Sequence, residues 1–446
     1  MMRDLGAFAM AAPLLVAMAA GAPASAQKPG GILKIYSPDS PASMSIHEEA
    51  TFVAEGPMMG VFNNLVMFDQ HVKQNSLDSI VPDLATGWSW NEDGNLTLPL
   101  RQSVRWHDGK PFTAKDVVCT WDLLTGKSSE KLRVNPRRSW YRNLETVTTN
   151  GDYEVTFHLK RPQPAFLMAL AGGYSPIYPC HVPARDMRSH PIGTGPFKFV
   201  EFKPNERIRV TRNPDYWKAG RPYLDGIEYT IIRNLSTAAL AFVAGKFDMT
   251  FPYSLEVPLL RDVKNQMPEA ICELAPLGIS RSLIVNRDKP PFDNPDLRQA
   301  MALSLDRQAF INIITEGQGD IGGAMQPPPE GLWGMPPDVL KTLPGYDTDI
   351  ENNRAQARQL MHKLGYGPAD QLKIKLSVRD LPFLRDPAVI LIDQLKEVYI
   401  DGELETIDTT NWLPKVMRKD YSVGLTGRGP RSQSQRDLQV RWGAEL

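Results

Sequence analysis

The chain has 446 residues, 42% hydrophobic and 23% charged, enough apolar mass for a large core and for two or more domains. With 50 Lys and Arg against 51 Asp and Glu, its formal charge of -1 supplies no field that would draw it to nucleic acid or an anionic membrane. Cys119, Cys180 and Cys272 permit at most one internal disulfide, and spacing alone does not pair them; small buried thiols in apolar settings such as VVCTW are the expected state.

Residues 1–26 carry one early basic residue, Arg3, an apolar run from about Leu5 to Ala20, and the small-residue site Ala24-Ser25-Ala26 ahead of Gln27. That order predicts a cleaved secretory signal, because a retained anchor needs about 20 strongly apolar residues and this Ala-rich run is broken by Pro13. No Cys follows the run, so a freely diffusing periplasmic protein is expected rather than a lipoprotein. ILKIYS at residues 32–37 predicts a first strand, and residues 50–67 predict a helix. Trp88-Ser89-Trp90 and Leu96-Thr97-Leu98 around Asp93-Gly94 predict a hairpin. The T-x-x-D pattern from Thr113 to Asp116 opens a short helix, and Val155, Phe157 and Leu159 alternate as a strand.

From residue 236 the texture changes. STAALAFVAGKFD predicts a helix with Ser236 as N-cap and Gly245 near its end. Asn294-Pro295 starts one or two helices that run to Gly317, and Asn294 is their predicted N-cap. Helices at NNRAQARQLMHKLG, AVILIDQLKEV and NWLPKVMRKD then alternate with strands at LKIKLSV, ELETID and YSVGLTG. Such alternation predicts βαβ units and a largely parallel sheet, and the change of texture places a domain boundary near residue 255. The stretch 321–345, with Pro327-Pro328-Pro329 and Pro336-Pro337, is a long irregular connection. Residues 428–446 hold Arg428, Arg431, Arg436 and Arg441 without helix or strand period, an atypical basic tail that reads as the product of truncation or a frameshift.

Catalytic and metal patterns do not assemble. Residues 317–322 match G-x-G-x-x-G, but the run follows a helix and precedes prolines, the wrong context for a dinucleotide. Cys180-His181 with His190 lacks a second ligand pair for zinc, and the adjacent Glu48-Glu49 are expected to point apart into solvent. No cofactor, metal or enzymatic activity is expected. What remains are aromatic and glycine-bearing loops suited to walling a small ligand: Trp140-Tyr141, Trp412, and Thr426-Gly427 at the end of a strand, where open α/β sheets hold their ligands. Core packing explains Trp140 and Trp412 as well as ligand contact does.

The stretch 193–230, GTGPFKFVEFKPNERIRVTRNPDYWKAGRPYLDGIEYT, sets apolar alternation (Phe197, Phe199; Ile208, Val210) on either side of Pro204-Asn205, a hairpin without nucleophile or metal spacing. It resembles the signature segment of the family-5 extracellular solute-binding proteins, the peptide-binding receptors of bacterial ABC importers. VPDLATGWSWNEDGNLTLPLRQSVRWHDGKPFTAKDVVCTW, LAFVAGKFDMT, NRDKPPFDNPDLRQAMALSLDRQAF and GYDTDIENNRAQARQLMHKLGYG resemble further landmarks of that family, so the likeness spans about residues 30 to 427. It implies a two-lobed α/β periplasmic binding protein with mixed sheets and a hinge, whose C-terminal part is incomplete here. Lobe I would span 27–255 and lobe II 256–427. It further implies a monomer that passes a peptide or similar solute to ABC permease subunits without chemistry. Carried over by position, Ser40, Pro41, Ala42 and Ser43 would contact ligand from the first lobe, and Trp412, Thr426 and Gly427 from the second. Peptide-binding members place an acidic residue just after the glycine loop, whereas here Arg428 and Arg431 follow and Asp437 stands in the tail. A non-peptide solute such as a metal chelate, opine or sugar derivative therefore stays open beside a peptide.

Overall fold

The computed structural model describes residues 29–72, 75–252, 254–273, 280–322 and 335–428. The signal segment, the Pro327–Pro329 cluster and the basic tail beyond Arg428 lie outside the described residues. Through residue 250 the order is β1 (Ile32–Ser37), α1 (Phe52–Met59), β2 (Val66–Phe68), β3 (Ile80–Pro82), β4 (Ser89–Trp90), β5 (Leu96–Pro99), α2 (Ala114–Thr125), β6 (Leu144–Thr149), β7 (Glu154–Leu159), α3 (Phe166–Ala171), β8 (Phe197–Lys203), β9 (Arg207–Arg212), β10 (Gly226–Ile231), α4 (Leu235–Val243) and β11 (Met249–Thr250). These strands form a five-stranded sheet of order β11-β1-β10-β9-β8, an antiparallel sheet β4-β5-β7-β6 and the pair β2-β3. In the larger sheet β1 runs parallel to both β10 and β11, while β8, β9 and β10 form an antiparallel meander.

Later elements are α5 (Val257–Gln266), β12 (Ser280–Val285), α6 (Pro295–Leu303), α7 (Arg307–Thr315), α8 (Pro337–Leu340), α9 (Ile350–Lys363), β13 (Leu372–Arg379), α10 (Pro382–Lys396), β14 (Ile400–Ile407), α11 (Thr409–Met417) and β15 (Val423–Arg428). They build one sheet, β12-β15-β13-β14, in which β13 is parallel to both neighbours and β12 is antiparallel to β15. The alternation in LKIKLSV is that of a strand buried on one side: Leu372, Ile374 and Leu376 enter the core, joined by Ala388, Leu391 and Leu395 of α10.

Several expectations hold at the level of atoms. Thr113 and Asp116 form a capping box at the start of α2, and Asn294 caps α6 by accepting from the Asp296 amide. The turn between β8 and β9 places Asn205 at φ 62°, a left-handed conformation that asparagine tolerates. Other expectations are corrected. The predicted helix over 50–67 is helical only from Phe52 to Met59, and Val66–Phe68 is a strand. The chain leaves the helix because the Val61 carbonyl accepts the amide of Gly195 instead of continuing the local ladder. Helix α4 is capped by Asn234, not Ser236, since the Asn234 side chain reaches the Thr237 amide. Cys119 and Cys180, with Cα atoms 5.6 Å apart, are joined as a disulfide, leaving Cys272 as the free thiol.

The GTG start of the signature stretch has a packing role. His107 receives the Gly193 amide on Nδ1 at 3.2 Å and donates from Nε2 to the Gly195 carbonyl at 3.0 Å, which fixes one neutral tautomer. Burial lowers its pKa to about 4, in keeping with that state. Asp83 gathers the same region by accepting from Asn63, the Asn64 amide and Lys218.

Candidate functional site

Strand ends from both halves of the fold converge on one polar cluster. The chain leaves the carboxyl end of β1 into Asp39, Ser40, Pro41, Ala42 and Ser43, all buried or half-buried. Arg379 closes β13, and in β15 Thr426 follows Leu425, the residue paired with Val378, so it stands beside Arg379. The cluster thus lies at the carboxyl ends of parallel strands, the position open α/β sheets leave for a ligand.

Asp39 is the joint between the two halves. One carboxylate oxygen lies 3.3 Å from Arg233 Nε, and the other accepts the hydroxyl proton of Thr409, the first residue of α11. Asp408 fixes that helix end by accepting from the amides of Thr410 and Asn411. Ser40 Oγ accepts the Asn205 amide at 3.1 Å, tying the loop after β1 to the β8–β9 turn.

Deeper on the N-terminal side, Glu49 accepts from the Ser43 amide at 3.1 Å and from the Thr51 hydroxyl at 3.3 Å. Burial outweighs these bonds and pushes its pKa up to about 7. Arg137, fully buried, donates to the Glu49 carbonyl and stacks over Tyr174 at 4.0 Å and Trp140 at 5.5 Å. Tyr174 is hydrogen-bonded to Glu55, whose carboxyl is raised by burial. The close approach requires Gly173: a Cβ there would stand 2.2 Å from Glu55 Oε1. Across the gap, Arg379 feels Asp39, Tyr174 and Glu49 electrostatically, while its Nε is shut off from solvent without a hydrogen-bond partner. The arrangement offers charges of both signs, hydroxyls and an aromatic wall. Among the described residues no three His, Cys, Asp or Glu side chains are placed to hold a metal.

The candidates from the sequence divide between this cluster and the core. Ser40–Ser43, Thr426 and Gly427 sit at the converging strand ends. Trp412 is buried one helical turn beyond Thr409, on the same face of α11, and belongs to none of the hydrophobic clusters. Trp140 reaches the cluster through Arg137, but Tyr141 does not: only 1% exposed, it packs edge-on to Trp121 and shares a hydrogen bond with Ser175. Glu48 and Glu49 diverge as expected, yet neither is solvated. Glu48 is buried against Arg188, with two hydrogen bonds of 2.8 Å, so its burial is enforced by a partner 140 residues away. Sequence reasoning passed over Asp39, Glu55, Arg137, Tyr174, Arg379 and Thr409. Arg379 alone carried a local signal, a charge closing the apolar alternation of LKIKLSV.

Two α/β assemblies meeting at strand ends over a polar cluster define the two-lobed binding-protein architecture. The profile of the bacterial extracellular solute-binding proteins, family 5, matches residues 79–442, and the chain belongs to that family. Among curated relatives, oligopeptide-binding protein AppA of Bacillus subtilis is 29% identical over 340 residues, 71% of this chain and 59% of AppA. Di/tripeptide-binding protein 1 of Pseudomonas aeruginosa is 27% identical over 396 residues, 82% of this chain and 70% of that protein. The chain therefore spans about three fifths of the first relative's length. Periplasmic binding protein DppA of Helicobacter pylori, solved with the peptide STSA, shares the fold with a TM-score of 0.76 at 21% identity, over 92% of this chain and 81% of that one. No helix among the described residues is long and apolar enough to cross a membrane.

Proposed function

We propose that this protein is the periplasmic receptor of an ABC importer, capturing a peptide or peptide-like solute between two lobes and passing it unchanged to the permease. Lobe I takes in residues 27–255 and lobe II residues 256–427, with a hinge near residue 255. The observation that carries the reading is the contact of Thr409 with Asp39, which brings α11 and the loop after β1 together over the polar cluster. Ligand binding then adds contacts to both faces at once, so closure and affinity are coupled. Ser40–Ser43 and Trp140 contribute from the first lobe, and Trp412, Thr426 and Gly427 from the second. AppA and di/tripeptide-binding protein 1 carry peptide ligands in their names, which supports a peptide.

A second reading keeps the mechanism and changes the solute. Arg428, not an acidic residue, follows Thr426-Gly427 at the end of β15, so the ammonium anchor expected of a peptide receptor is missing there. Mass spectrometry of solute released from protein purified from a native periplasm, followed by calorimetric titration of that solute and of a di- to pentapeptide library, separates the two. Saturable heats at micromolar peptide support the first reading; flat peptide traces beside a non-peptide solute that binds replace it.

A further inference from the structure

The loop after β1 has no ladder of its own: residues 38–51 form neither helix nor strand, so their shape depends on bonds to other segments. Arg188 holds Met44 and Glu48, and the points between them rest on the stretch 176–180. There Tyr178 Oη lies 3.2 Å from Ser45 Oγ and accepts the His47 amide at 3.4 Å, while the Pro176 carbonyl accepts from His47 Nε2 at 2.9 Å. The Tyr178 ring also packs 4.3 Å from the His47 imidazole. That stretch is irregular too, and it is laced to α2. The Tyr178 amide donates to Thr120 Oγ1 at 2.9 Å, the Cys180 amide donates to Asp116 at 2.8 Å, and Cys180 is bonded to Cys119. The disulfide therefore stands one residue from Thr120 and two from Tyr178, behind the loop that carries Ser40–Ser43.

We propose that the Cys119–Cys180 disulfide is a redox-sensitive brace for the loop after β1, and that its reduction by a dithiol loosens the loop around Ser45 and His47. Cys119 and Cys180 are half-buried, so a thiolate can reach the bond. The dithiol attacks one sulfur, forms a mixed disulfide and closes to its own disulfide, and its two electrons and two protons leave Cys119 and Cys180 as thiols. While the cross-link is in place, Tyr178 stays beside Thr120 even as single hydrogen bonds open. Without it, 176–180 opens as a unit and Ser45 and His47 lose their partners together. The consequence for capture rests on the receptor reading, in which the same loop lines the cleft: the oxidised form is the one that holds solute.

The test needs no solute, so its failure is distinct from a failure of the receptor reading. Amide hydrogen exchange is followed on the intact oxidised protein and on the same protein reduced with dithiothreitol. Reduction is expected to speed exchange at 43–49 and 176–180 by about 10-fold or more and to leave β13 and β14 unchanged. Unchanged exchange at 43–49 overturns the proposal, as does a uniform rise that includes β13 and β14, because the bond would then serve the whole fold and not the loop. Tyr178→Phe in the oxidised protein keeps the ring and the disulfide and removes only the hydroxyl. Exchange at His47 should rise by about 3-fold or more in that variant, and no rise there overturns the link between brace and loop.

Discussion

Thr409 donates its hydroxyl proton to Asp39 across 370 residues of sequence, and this single bond fastens the start of α11 to the loop after β1. Both residues are buried, so the bond is made where water does not compete. Thr409→Val keeps the shape and removes the donor, leaving one Asp39 oxygen without its partner. The variant is expected to lose about 1 to 3 kcal/mol of closed-state stability. Small-angle scattering should show a larger radius of gyration than the wild type, and an unchanged scattering curve would remove this bond from the closing mechanism.

Gly193 and Gly195 pack against the turn that ends α1. A Cβ on Gly193 would stand 1.9 Å from the Val61 carbonyl oxygen, and one on Gly195 2.5 Å from the Val61 carbonyl carbon. Neither contact can be relieved by rotating a side chain, because backbone is on the other side. Gly193→Ala should destabilise the fold by about 3 kcal/mol. Urea unfolding is the measurement, and a loss under about 0.5 kcal/mol, the range of ordinary surface substitutions, would refute the packing account.

Glu49 predicts a pH dependence of stability. Its carboxyl is raised from 4.5 to about 7 in the fold, so the folded chain holds this proton more firmly than the unfolded chain does. The stabilisation is complete below about pH 4.5 and is lost as pH rises through 7, amounting to about 3 kcal/mol. Glu49→Gln keeps an acceptor for the Ser43 amide and removes the titration. The stability difference between wild type and variant should therefore move in the variant's favour between pH 5 and pH 8. A difference that stays constant over that interval would show that Glu49 titrates normally.

Trp412 is 9% exposed and outside the hydrophobic clusters, one turn along α11 from the Asp39 contact. If it stacks on ligand, Trp412→Ala should weaken binding of the co-purified solute by about 1 to 3 kcal/mol. Calorimetry of wild type and variant checks this, with thermal unfolding run in parallel. A loss of stability with unchanged affinity would assign the indole to packing alone.

Local pattern made much of the fold legible. The alternation of LKIKLSV, the capping box at Thr113 and the Asn294-Pro295 helix start are each written in a few neighbouring residues, and the structure carries them. Where the reading slipped, a distant partner had intervened. The helix expected over 50–67 stops at Met59 because the Gly193–Gly195 segment docks on the turn after it. Glu48 and Glu49 looked solvated because Arg188, 140 residues from Glu48, and Arg137, 88 residues from Glu49, are not recognisable from the sequence as the groups that bury them.

From the sequence by itself came the α/β class, the alternation of helices and strands from α9 to β15, and the family. These depend on periodicity, caps and ordered landmarks, which are local properties of the chain. Only the tertiary structure decided which charges share the cleft, that Cys119 bonds Cys180, and that Tyr141 belongs to the core. The reason is physical: a buried ion or ring is defined by what surrounds it, and its surroundings here come from segments hundreds of residues apart that meet only once the sheets have packed.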